Sequence, residues 1–167
     1  MGKSPLDFDT KESFLGDILR NHMELLRLAD NKANMLLVAS SLVLTLSLQY
    51  LLKEGPLFYG FLVITFSTLT AATLALFVII PRGHTPEGTN LMYFRSFLEL
   101  DEENYIYALK KTISDRERIV EEYGREIYKL GEKTLYVKYR FLKFALAIFL
   151  GGFLLGAAIV VFSLLVQ

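Results

Sequence analysis

Cysteine and tryptophan are both absent from the 167 residues, and histidine occurs only twice. Without thiols there are no disulfides and no thiolate metal sites. His22 and His84 fall in different segments, and a metal site built on them would need distant carboxylates. Net charge is absent too, because 18 basic residues balance 18 acidic ones. That balance supplies no basic field for a nucleic-acid partner. Catalytic signatures are also missing. The chain has no glycine-rich phosphate loop, no zincin histidine pair and no nucleophile elbow. No metal and no catalytic residue is expected, and the chain reads as a non-enzyme.

The most telling absence is local. Three stretches, 33–52, 57–81 and 144–166, carry no Asp, Glu, Lys or Arg. A bilayer core about 30 Å thick needs roughly 20 apolar helical residues to cross it. In lipid each backbone group must be satisfied inside its own segment, so the stretches are read as helices. The expected fold class is an all-α integral membrane protein, with three transmembrane helices and a small cytoplasmic helical layer. The spans contain no ionisable residue of the kind a transporter or proton relay carries, which argues against secondary transport. The first apolar run begins too late for a simple signal peptide and is read as retained. Tyr50, Tyr59, Tyr136 and Tyr139 fall near the expected interfaces, where tyrosine anchors well.

Charge placement sets an expected orientation. Of the 18 Lys and Arg, five precede span one, Lys53 alone lies in the link to span two, and twelve lie between Arg82 and Lys143. By the positive-inside rule the N-terminus and the middle segment face the cytoplasm, and the C-terminus faces outward.

Residues 1–9 read as a disordered N-terminus. A cytoplasmic amphipathic helix is expected over 10–32, started by a capping box of Asp9 and Glu12. Its seam is Leu15, Ile18, Leu25 and Ala29, with His22 and Lys32 at intervening steps. No Gly or Pro interrupts the chain between Gly16 and Gly55, which predicts one rod running into span one. The short turn at Lys53-Glu54-Gly55-Pro56 makes spans one and two an antiparallel hairpin. The cytoplasmic region 82–143 begins with a loop, then a short helix over 91–100 capped by Thr89 or Asn90. A longer helix capped by Asp101 follows. Its seam is Ile106, Leu109, Ile113, Arg116, Val120, Tyr123, Ile127 and Leu130, a heptad pattern with one cationic intruder.

Three groups of residues stand out. Asp30 and Lys32 sit where the first helix meets the bilayer. They form either an interfacial collar or a pair turned into the bundle, where charge must be partnered. Asn90-Leu91-Met92-Tyr93-Phe94-Arg95 places amide, aromatic and cation together near Arg82. Such a set can clamp a phosphate and stack a base, or can simply be core. Gly152 and Gly156 in span three have the spacing that lets helices approach closely.

These elements together resemble the Pycsar transmembrane effector family of bacterial anti-phage defence. The resemblance is carried by Ala29-Asp30-x-Lys32-Ala33, the tight hairpin, Pro81-Arg82 and Asn90-x-x-Tyr93-Phe94. It continues through Glu102-Glu103-Asn104-Tyr105 and Lys138-Tyr139 before the last span. It implies an effector that impairs the inner membrane when a partner nucleotide cyclase makes a cyclic pyrimidine mononucleotide, cyclic CMP or cyclic UMP. The ligand site is then expected at Lys32, Arg82, Asn90, Tyr93 and Arg95, with Asp30 holding Lys32 or Arg82 from behind. The expected partners are membrane lipid, the cyclase and further copies of the chain in a homo-oligomer. The alternative reading is a structural or scaffold membrane protein that docks a cytoplasmic partner through its helical layer.

Overall fold

The computed structural model describes residues 8–53, 55–80, 91 and 100–166. The first helix already begins at Phe8, ahead of the expected start at residue 10; the side chains of Asp9 and Glu12, and residues 92–99 of the expected short helix, lie outside what is described. Among the described residues the protein is helical apart from short turns, with no strand. Three helices are long and apolar enough to cross a membrane. The chain divides into two compact units, 1–25 with 81–135, and 26–80 with 136–167.

The second unit is the three-span bundle. Helix α1, Phe8–Leu51, is one uninterrupted helix, as a run free of Gly and Pro beyond Gly16 allows. It ends in a tight turn in which the Lys53 amide donates to Tyr50 O at 3.1 Å and the Phe58 amide to Gly55 O at 3.1 Å. Helix α2, Phe58–Ile79, follows. It stops because Ile80 precedes Pro81. The proline ring disfavours helical ψ at the preceding residue, and Ile80 accordingly sits at φ −57°, ψ 123°. Helix α5, Tyr136–Leu165, is the third span.

Small residues bring the three helices together. One layer joins Ala33, Val78 and Leu142, and the next joins Leu36, Ala75 and Ala145, one residue from each span. The order of these contacts makes α2 antiparallel to both α1 and α5. Towards the other end Thr65 Oγ1 donates to Ser47 Oγ at 2.9 Å, and Tyr50 stacks on Phe61 with ring centroids 4.4 Å apart. The α2–α5 contact is closest at glycine. A Cβ on Gly152 would collide with the Ser67 side chain, and one on Gly156 with Ile64 and with Gly60 O.

In the first unit Asp101 caps helix α3, Glu102–Ile113, and its side chain accepts from the Asn104 amide at 2.7 Å. The heptad seam suggested one helix from there to span three. The structure instead breaks at Ser114–Asp115, and Asp115 caps a new helix α4, Arg116–Lys129. Asp115 is extended at φ −121°, ψ 110°, accepts from the Glu117 amide and pairs with Arg118 at 3.1 Å. A good N-cap competes locally with helix continuation, and here it wins. Leu130–Leu135 is a π-helical segment. Gly131 in that segment lies against His22, whose Nδ1–H donates to Ile18 O at 2.9 Å. Leu91, Leu109, Thr112, Ile119 and Tyr123 line a cleft of about 300 Å³ between α3 and α4.

Candidate functional site

Ala29 and Ala33 are fully buried, so that face of α1 points into the bundle. Asp30, the next residue round the helix, is half-buried and reaches across to α5. There Lys138 Nζ donates to Asp30 Oδ1 at 2.5 Å. The Lys138 side chain is 10% exposed and the Asp30 side chain 36%. Lys138 lies one turn before Leu142, on the same inward face. A lysine there must be paired, because an isolated ammonium cannot be taken from water cheaply. The charge-assisted bond therefore ties spans one and three together at the end of the bundle.

The sequence reading has Asp30 holding Lys32 or Arg82. Its described partner is Lys138, 108 residues distant. Lys32 is exposed, and Arg82 lies outside the described residues. Sequence reasoning met Lys138 only as part of the family signature. The available signal was a lysine one turn before Leu142 and two before Ala145, on the apolar face of the last helix, where a charge demands a partner.

Of the other expected ligand residues, Arg82, Asn90, Tyr93 and Arg95 lie outside the described residues. Gly152 and Gly156 are within the α2–α5 contact, so their close-packing face is used inside the chain. On α5, Tyr136, Tyr139, Arg140, Lys143 and Phe144 share one side around a shallow concavity. Aromatic rings and cations mixed at the start of an apolar span suit the headgroup region of a bilayer. Among the described residues no group of His, Asp and Glu is placed to hold a metal ion.

Beyond the bundle, Glu132 in the π-helical segment raises the pKa of the Tyr128 phenol above its ordinary value of 10.0. The phenol hydrogen-bonds the carboxylate, and the carboxylate's charge opposes ionisation. Chemically, the described residues offer an apolar bundle with a partly buried ion pair at its end.

A family model described as a Pycsar effector protein domain matches residues 14–166. No curated protein and no solved structure matches the chain.

Proposed function

Because the chain belongs to the Pycsar effector family, we propose that it breaches the inner membrane of an infected cell when a partner cyclase makes a cyclic nucleotide. The family supplies the cyclic-nucleotide signal, the pairing with a cyclase and the setting in phage defence. The observation that carries the membrane-directed reading is that the match at 14–166 takes in all three charge-free stretches, each within a helix long and apolar enough to cross a membrane. On this reading the spans act on the membrane themselves. A homo-oligomer follows from the same reasoning, since three helices packed on one another enclose no channel. Basic residues at the N-terminus and over 82–143 support a cytoplasmic N-terminus and an outward C-terminus.

The signal is read on the cytoplasmic side, at the ends of spans one and two. A cyclic phosphate carries one negative charge and needs a cation, which Lys32, Arg82 and Arg95 provide. Tyr93 offers a stacking face for a single pyrimidine ring, and Asn90 a hydrogen-bonding group. Asp30, by holding Lys138, fixes the end of span three beside that of span one. Calorimetric titration of the detergent-solubilised protein with cyclic CMP and cyclic UMP tests the site. One of the two should bind, and Lys32→Ala or Arg95→Ala should weaken it about tenfold or more, the loss of one charge-assisted contact. Undiminished binding by both variants would place the ligand elsewhere.

A further inference from the structure

Ten serines and threonines lie in the three charge-free stretches. Seven donate to a carbonyl of their own helix three or four residues back, as Ser41 does to Leu37 O and Thr70 to Phe66 O. An eighth, Thr65, donates across to Ser47 Oγ. The other two stand apart. Neither Ser40 Oγ nor Thr68 Oγ1 has a hydrogen-bond partner among the described residues. They are 1% and 0% exposed, more deeply buried than any of the bonded eight. Thr73, exposed on α2, takes the usual bond to Leu69 O, while the two hydroxyls that face the core forgo theirs.

Both lie on one seam. The pairing of Ala33 with Val78 and of Leu36 with Ala75 carries on, at helical steps, to Ser40 at the level of Ala71. Further along, Ser47 meets Thr65. Thr68, one turn from Ala71 on the buried face of α2, falls between those levels. Ser40, Ser47, Thr65 and Thr68 thus share the α1–α2 contact. The α2–α5 contact is built differently. Gly60 and Gly156 lie back to back, and a Cβ on either would strike the other's carbonyl oxygen. Gly152 is as close to Ser67, whose proton goes to Val63 O. That side of α2 is closed by shape, with its hydroxyl bonded. Helix α1 is fastened at its ends, by Asp30 to Lys138 and by the Tyr50–Phe61 stack. Between those points it meets α2 with hydroxyls.

A buried hydroxyl without a partner costs free energy that water would return. Hydrocarbon returns none of it. The two hydroxyls therefore raise the closed bundle relative to any arrangement in which water reaches the seam, and a signal has less to supply to shift the balance. We propose that span one parts from span two along this seam when the chain acts. Ser40, Ser47, Thr65 and Thr68 then line the water that enters the membrane, while α2 and α5 stay together as a pair. The proposal rests on the reading that the chain breaches the membrane, and it names the surface that meets the water.

The absence of cysteine makes the test clean. Ser40→Cys and Thr68→Cys are made singly in the full chain, with Phe66→Cys and Leu154→Cys as lipid-face comparisons. Cells with an active or an inactive cyclase are treated with a cationic, membrane-impermeant methanethiosulfonate. The thiolate is the reacting form, so labelling reports water at the thiol. Labelling of Ser40→Cys and Thr68→Cys is expected only with the active cyclase, and none at the comparisons. No labelling of either seam variant, or equal labelling of the comparisons, overturns the proposal. A membrane-potential dye in the same cells separates the two readings. Collapse of the potential with both seam thiols unlabelled rejects the seam and leaves the function standing. Labelling with the potential intact keeps the seam and rejects the breach. A second measurement does not depend on the thiols. The double variant Ser40→Ala with Thr68→Val removes both hydroxyls and nearly keeps the volume. Its thermal midpoint in detergent should rise by about 2–4 °C, and its cells should hold their potential at a cyclase level that collapses the wild type. An unchanged or lower midpoint would mean that the hydroxyls are satisfied in the closed bundle, and would overturn the proposal.

Discussion

Lys138→Met removes the positive half of the Asp30–Lys138 pair while keeping the apolar stem that packs inside the bundle. Taking one partner from a buried ion pair costs about 3–5 kcal/mol when the remaining charge is sealed from water. Asp30 is 36% exposed, so solvent screens much of what is left behind, and a loss of about 1–2 kcal/mol is expected. The reverse change should hurt more. Asp30→Ala strands an ammonium that is 10% exposed, for a loss of about 2–4 kcal/mol. Removing both together strands nothing, so the double variant should lie well above the sum of the two losses. Thermal unfolding of the four proteins in one detergent closes the cycle. For a chain of this size each kcal/mol moves the midpoint by about 2–4 °C. A coupling below about 0.5 kcal/mol would mean that the two groups do not hold each other. If Lys138→Met proved the more damaging single change, burial would not be what sets the cost.

The glycines of α5 should divide sharply by face. Gly156→Ala places a methyl group against Gly60 O and Ile64, and overpacking of this kind costs about 1–3 kcal/mol. Gly151→Ala meets nothing within 4 Å and should be neutral or slightly stabilising in a thermal melt. The Tyr128–Glu132 contact gives a pH signature. The phenol is neutral and bonded across neutral pH, and the contact is lost only as pH rises past the raised phenol pKa. Glu132→Gln should bring that titration down towards 10.0, read from labelled tyrosine by NMR with Tyr128→Phe as the assignment. An unchanged titration would remove Glu132 as the cause.

What the sequence made legible is what local chemistry decides. Charge-free runs located the three long helices, because lipid permits few alternatives to a helix. Pro81 marked the end of α2 through its effect on Ile80, and Asp101 marked the start of α3 through its side-chain oxygen. The break at Ser114–Asp115 was legible in principle, since both are capping types. The heptad steps continued across it and masked it, because a seam records which face is apolar and not whether the helix is continuous. The π-helical turn at Leu130–Leu135 has no spacing signature of its own. The Asp30–Lys138 pair was out of reach for a different reason. Each residue announces only that it needs a partner, and which partner it finds is settled by how three helices align. Gly152 and Gly156 show the same limit: their spacing announced a close contact without naming α2 as the helix that fills it.

The account turns on the spans acting on the membrane when the signal arrives. Membrane potential, followed by a dye in cells carrying the chain with an active or an inactive cyclase, tests that most directly. The potential should collapse only when chain and active cyclase are present together. A potential that holds while the cyclic nucleotide accumulates and the protein is in the membrane would contradict the account.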